Sequence, residues 1–564
     1  MNDSNLCKAL FNLSQNSIES VQTGNGFSEI DNYLHTERPI SSELLDRMID
    51  IDQAGGGIIL LVGSSGDGKS HLLSKVKSLG GNGWSSDSFY NDATASCSPN
   101  KTAIETLKEA LMDFSDDNLY STNKKKILAI NLGKLNAFID DTDIRKIYGE
   151  IAKAAAPLFD DNNSMPPLNT ERVKIVEFSN KQVFELFPDN EGYDSLKSDF
   201  LSNILDKLVA PNSSSKKNPF YAAYEEDMAN GINPRHPVFL NYQLLMIPEV
   251  RRSIVLTVIE AIIRFKLVIT PREYLDFIYS ILVPKELPTH YKERESFYES
   301  LLPTLLYSGE SNAILEAISR LDPMKYSNTI HDNTLSLLFS SNRIHDGFLS
   351  EIPSGAVLPE ELINRINKFY DNNGKDAERT TKFLFRFHHL LDYHSESESY
   401  ISFMNLLKGI FKQNPDYMME AYNLVSEAIP RHNGSYYQKP NLIPLNIQGG
   451  KYKLFAQIQM DPNEPKYIFS FDKPWEFYPR FQLCWTILGN KEVTLLMDYA
   501  LFAYLFDLRN GKLAVTYENE KNIEFSHFLR ELASLSDCAK KLTIAKVGSE
   551  DMILQKTMIS VQLQ

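Results

Sequence analysis

Cysteine is scarce. The 564-residue chain contains four, Cys7, Cys97, Cys484 and Cys538, with no Cys-x-x-Cys pair and no repeated spacing to histidine. Such scatter excludes a disulfide scaffold and a zinc site built on paired cysteines; it is the pattern expected of reduced thiols in a cytoplasmic protein. Long apolar runs are missing too. The strongest, Ile58 to Val62, falls far short of the ~20 residues that cross a bilayer. The opening residues, MNDSNLCKALFNLSQ, have neither a basic start nor a sustained apolar stretch, so the chain is expected to be neither exported nor membrane-bound. Positive charge is in deficit: 58 Lys and Arg stand against 73 Asp and Glu, a formal net charge of −15. Most of the surface then repels a polyanion. A chain built mainly to coat nucleic acid is not expected, and any such contact is left to local basic patches.

What is present is globular in proportion, with 43% hydrophobic and 23% charged residues. Single cores stop growing near ~250–300 residues, so several domains are expected. Apolar positions at helical spacing over residues 5–22, and again from Ser41 to Ile51, predict a helical collar over residues 1–50. From Gly57 onward, short apolar runs alternate with helical patterns. GIILLV, SFYNDAT, KILAIN and KIVEF are the predicted strands, with HLLSKVKSL and KTAIETLKEALMDF among the helices. Alternation of this kind implies a parallel sheet covered by helices.

A polar break at 211–219, PNSSSKKNP, precedes a helical continuation with FLNYQLL, RRSIVLTVIEAIIRF and PREYLDFIYSIL. Helical periodicity then persists over 286–432. From 433 to 564 alternating stretches, KYKLFAQIQM, KYIFSF and FQLCWTIL, predict strands, followed by helices near Leu495 to Leu508 and Phe525 to Leu535. An α+β region is the expected result.

Residues 63–70 read GSSGDGKS and fit G-x-x-x-x-G-K-[ST]. An apolar strand feeds the motif and an amphipathic helix follows it, which is the context a P-loop requires. The chemistry needs glycine at Gly63, Gly66 and Gly68 because backbone N–H groups can surround phosphates only where no side chain intrudes. Ser64, Ser65, Asp67 and His71 complete the predicted phosphate-binding stretch. Lys69 supplies a point charge to the β- and γ-phosphates of ATP, and the Ser70 hydroxyl fills one position around Mg²⁺. The predicted core is therefore an α/β P-loop NTPase of ASCE/AAA-like type over 51–210. A helical lid over 211–285, an all-helical domain over 286–432 and a C-terminal α+β domain follow.

A second acidic group should hold the magnesium's water shell from a neighbouring strand end. Asp92 in SFYNDATAS is the preferred candidate, with Asn131, at the tip of KILAIN, then serving as a polar sensor of the γ-phosphate or the lytic water. In the competing assignment KILAINL is the magnesium strand, and the position that should be acidic is Asn131. The residue after Asp92 is Ala93, where many hydrolysing P-loop proteins have a glutamate that orients water; hydrolysis is then slow, or its base comes from elsewhere. Arg235, Arg251, Arg252 and Arg272 are the arginines that could answer the γ-phosphate, Arg272 first.

GIILLVGSSGDGKSHLLSKV, YNDATAS followed by KTAIETL, KILAINLGKLNAF, and FLNYQLL followed by ITPREYLDFIYSILVP resemble, in that order, the DptF family. DptF is the ATPase-like component of the bacterial DNA phosphorothioation-dependent restriction system. The resemblance covers roughly the first half of the chain. It implies ATP and Mg²⁺ as ligands, partners of the DptG and DptH type, and a host-defence role against DNA that lacks sulfur in its backbone. It places the nucleotide site on Gly63, Gly68, Lys69 and Ser70. Assembly into a homo-oligomer is left open.

Cutting chemistry has little to stand on. Asp461, Glu464 and Lys466 in DPNEPKYIF are the one carboxylate–lysine set, but Pro465 and the short spacing favour a polar hairpin. His388, His389, Asp392 and His394 in FHHLLDYH lack a further ligand and read as a helix surface. The NKKK run at 123–126, Lys216 with Lys217, and the Arg251–Arg252 pair are the basic patches that could meet phosphates.

Overall fold

The computed structural model describes residues 4–14, 29–64, 66–79, 84–91, 103–159, 168–178, 182–213, 217–231, 236–285, 297–326, 329, 331–333, 336, 359–360, 362–364, 377–432, 442–445, 453–457, 459–466, 478–487, 491–512, 522–535, 541–545, 552–556 and 561–563. Two compact units divide the chain, with the main boundary between His394 and Ser395; the second unit also takes in 186–195 and 263–266.

In the first unit the continuous apolar run GIILLV becomes β1 (Gly57–Gly63), buried at every position. Such a strand must be covered on both faces, which requires a parallel sheet between helical layers. Four parallel strands form it, in the order β2 (Phe89–Tyr90), β3 (Lys125–Asn131), β1, β4 (Val173–Glu177). Ile58, Leu60 and Val62 pack on one face with Leu107, Phe114, Leu135 and Phe138. Ile59 and Leu61 pack on the other with Leu72, Leu73 and Val76 of the helix Lys69–Leu79, and with Ile40, Leu44, Met48 and Ile51 of the helix Pro39–Gln53. The latter helix is also fixed by charge: Asp50 meets Lys174 at 3.3 Å and Asp52 meets Lys125 at 2.6 Å.

The helices that follow begin repeatedly with proline, whose fixed φ suits the first helical position: Pro219–Ala229, Pro237–Leu245, Pro248–Phe265 and Pro271–Leu282. Buried polar groups tie them together. The Asn218 side chain donates to the carbonyls of Lys207, Leu208 and Ala210, holding the end of helix Asp199–Val209 against the start of Pro219–Ala229. Tyr242 and Tyr274 donate to Leu208 and Leu201 of the same helix.

The first helix, Asn5–Phe11, docks on this region. The Asp227 carboxylate, 1% exposed, accepts from the Ser4 hydroxyl at 2.8 Å and from the backbone N–H groups of Asn5 and Leu6 at 3.0 and 2.9 Å. Further along, Asn241 satisfies both ends of its amide with Leu282, Ser300 and Leu302, and Arg386 pairs with buried Asp322 at 2.6 Å.

The second unit opens with the helices Glu398–Phe411 and Pro415–His432. Its strands are antiparallel. Met460–Pro462, Arg480–Ile487 and Lys491–Asp498 make one sheet, and Leu442–Pro444, Lys453–Gln457, Lys541–Ala545, Met552–Lys556 and Val561–Leu563 another. The helix expected near Leu495 starts instead at Tyr499. Val493, Leu495 and Met497 alternate inward opposite Trp485, Leu483 and Phe481, and Asp498 then caps Tyr499–Arg509. No helix among the described residues is long and apolar enough to cross a membrane.

His432, 4% exposed, lies edge-on to Phe525, and its Nδ1 is 2.6 Å from the Tyr504 hydroxyl. Burial holds the imidazole neutral and lowers its pKa to about 4. The unfolded chain therefore takes up this proton first as pH falls. Stability is intact above the unfolded value near ~6.5 and is lost progressively toward pH ~4, by about 3 kcal/mol in all. Denaturant unfolding followed across that range should show the loss in the second unit, and His432→Phe should flatten this part of the profile.

Candidate functional site

β1 ends in the loop that leads to helix Lys69–Leu79. Gly63 is level with Asn131 of β3, and Val62 with Glu177 of β4. The loop thus leaves the C-terminal edge of the sheet beside a change of strand order, the place where open α/β sheets receive ligands. Gly66 and Gly68 both have φ +90°, a conformation that side chains resist. They also lack room. A Cβ on Gly66 would stand 3.1 Å from the Thr270 hydroxyl, and one on Gly68 3.0 Å from an Arg38 nitrogen.

The Lys69 ammonium reaches back across the loop and donates to the carbonyl oxygens of Gly63, at 2.9 Å, and Ser64. The Asp67 carboxylate accepts from the Ser64 backbone N–H. Burial raises the Asp67 pKa, while the Ser64 N–H, Lys69 and Arg38 oppose the rise. Burial likewise lowers Lys69, against the pull of Asp67. Ser70 is exposed on the first helical turn, whose backbone N–H groups have no acceptor within the helix and form its positive end. Glycine cradle, ammonium, hydroxyl and helix N-terminus together suit a polyanion with a bound divalent cation.

Two flanks enclose the loop. On one, Arg38 donates to the Asp67 carbonyl at 2.7 Å. On the other, Thr270 caps Pro271–Leu282 in a reciprocal capping box with Glu273. Arg272 follows directly, exposed on the first turn of that helix. His71 is stacked on His35, with Nε2 and Nδ1 2.7 Å apart, and Lys207 donates to the His35 carbonyl.

Of the predicted site residues, Gly63, Ser64, Gly66, Asp67, Gly68, Lys69, Ser70 and His71 share this junction, and Asn131 stands beside it. Asn131 spends its side-chain carbonyl on capping the following helix, accepting from Gly133 N at 2.9 Å. Ser65, Asp92 and Arg235 lie outside the described residues; the β2 strand preceding Asp92 is one strand further from β1 than β3. Arg251 is occupied elsewhere, donating to Asp206, Leu245 and Met246.

Several of the other candidates are engaged as well, while Lys216 lies outside the described residues. Lys124 and Lys125 pair with Asp113 and Asp52, and Lys126 donates to the Ala110 carbonyl. Lys466 pairs with Glu492 instead of joining Asp461, which accepts from Gln459. His389 bonds Tyr307 and the His394 carbonyl.

Sequence reasoning missed Arg38 and Thr270. The cap at Thr270 was legible as T-x-x-E before an apolar run, whereas an arginine ahead of Pro39 carries no such signal. It also missed Glu177, the one acidic residue in the described strands of this sheet, buried at the end of β4.

Comparisons with protein-family models, curated proteins and solved structures gave no match.

Gly68→Ala should cost about 1–2 kcal/mol, because an alanine at positive φ is strained and its methyl would press on Arg38. Thermal or denaturant unfolding measures this. Unchanged stability would mean that the loop has a different backbone conformation.

Proposed function

We propose that residues 63–70 form a P-loop that binds Mg-ATP, and that the chain is a P-loop ATPase of ASCE/AAA-like type. The observation that carries this reading is the GSSGDGKS motif at the end of a strand buried on both faces, with Lys69 and Ser70 opening the helix that follows. Lys69 exchanges the carbonyls of Gly63 and Ser64 for β- and γ-phosphate oxygens. Ser70 and Asp92 would hold magnesium, which would neutralise the phosphate charge. Asn131 donates toward the γ-phosphate, and Arg272 approaches it from the start of its helix.

The narrower reading is that this ATPase works as DptF-family proteins do. It is then the ATP-binding component of a bacterial phosphorothioation-dependent restriction complex with DptG-like and DptH-like subunits, acting on DNA that lacks phosphorothioate. The four sequence segments quoted above support it. The net charge of −15 agrees with DNA being met through small patches or through those subunits. A second reading, a nucleotide-binding scaffold without turnover, is favoured by Ala93 following Asp92.

Calorimetry with Mg-ATP on the full chain and on Lys69→Ala tests the class: the variant should bind at least about tenfold more weakly, ~1.4 kcal/mol. Equal affinity would reject the assignment. Hydrolysis measured with DNA and both partner subunits separates motor from scaffold. Transformation by phosphorothioate-free plasmid should be restricted in cells carrying the intact system and unrestricted with Lys69→Ala.

A further inference from the structure

We infer that Arg38 is a positioning residue that couples the conformation of the Asp67–Gly68 peptide to helix Asp199–Val209, so that a nucleotide at the loop is felt by that helix. This rests on the nucleotide-binding reading above. Arg38 occupies the N-cap position of Pro39–Gln53 with extended φ −121° and ψ 152°, yet its side chain makes no capping bond. Its backbone is anchored by Pro39 and by the buried face of the helix, Ile40, Leu44, Met48 and Ile51. The guanidinium turns away to the loop instead.

There it has three attachments. It donates to the Asp67 carbonyl at 2.7 Å. It also lies over two rings: Phe178, the residue after β4, at 5.3 Å, and Phe200 in helix Asp199–Val209, at 5.7 Å. Gly68 leaves the space for it, since a Cβ there would stand 3.0 Å from Nη2. A reorientation of the 67–68 peptide would therefore lose the bond or displace the guanidinium from the two rings.

A bound phosphate would act on that peptide through the Asp67 side chain. The Asp67 carboxylate accepts the Ser64 N–H, a donor that a phosphate in the loop would claim, and two anions cannot share it. Release of the carboxylate removes the bond that ties Asp67 to Ser64; a turn of the 67–68 peptide that follows would move the carbonyl held by Arg38 and with it the cation over Phe200. Phe200 packs in turn against Tyr274 of Pro271–Leu282, at 6.2 Å between centroids, so the helix that bears Arg272 lies on the same path. Lysine cannot replace arginine here. A point charge on a flexible stem lacks the planar fork that lets one group donate to a carbonyl and stack near aromatic rings.

The test is hydrogen exchange on the full chain with and without saturating Mg-ADP, reading peptides over 63–70 and 199–209. Wild type should slow at both. Arg38→Lys and Phe200→Leu should still slow over 63–70 but lose the response over 199–209; a merely structural role would change exchange equally with and without nucleotide. Phe200→Leu keeps the helix packed and leaves the loop bond in place, so the test survives if the Arg38 variant folds poorly. A full response over 199–209 in both variants, or none there in wild type, overturns the inference while leaving the binding site intact. No protection of 63–70 in wild type would sink the nucleotide-binding reading and the coupling with it.

Discussion

The organising constraint is the burial of β1 on both faces. A strand without an exposed side has no place for a polar side chain until its end, so charged and hydroxyl-bearing groups appear only where the chain leaves the sheet. The two hydrophobic layers that cover β1 also fix what surrounds that exit. One contributes helix Lys69–Leu79, whose first turn carries Lys69 and Ser70; the same layer includes helix Pro39–Gln53, whose N-cap is Arg38. The apolar packing thus determines where the loop begins, where the helix begins, and from which side a cation approaches.

Within this frame the loop is held by its own charges. Lys69 is tied to two loop carbonyls, Asp67 to a loop N–H, and Arg38 to the Asp67 carbonyl. The first two bonds occupy an ammonium and a backbone N–H, both donors. The arrangement is self-satisfying, each polar group finding its partner within the protein.

The parallel sheet was legible because GIILLV, KILAIN and KIVEF are apolar runs too short for helices and flanked by helical patterns. The loop was legible because glycine, lysine and serine at fixed spacing have a direct chemical reason. Other features depend on partners far away in the chain. Arg38 meets Asp67, Phe178 and Phe200, and nothing local to Glu37–Arg38–Pro39 announces any of them. Thr270 reads as a cap but not as a neighbour of Gly66. The segment from Val493 to Leu508 carries apolar residues at both strand and helix spacing; the pairing of Arg480–Ile487 with Lys491–Asp498 decides where one period yields to the other. Arg251 has the composition of a phosphate-binding residue, and only the tertiary arrangement shows it consumed by Asp206 and two carbonyls.

The attachment of the first helix to Asp227 has a consequence in time. Ser4 and Asp227 are 223 positions apart. A ribosome adding ~5–20 residues per second reaches Asp227 roughly 10–45 s after Ser4. Over that interval Leu6, Leu10 and Leu13, all buried in the finished protein, have no docking surface. The nascent chain must therefore carry an unpaired apolar helix through the synthesis of the whole parallel sheet. Its segment is short and followed by polar SQNS, features that limit how far such a helix can recruit neighbours before its own partner emerges.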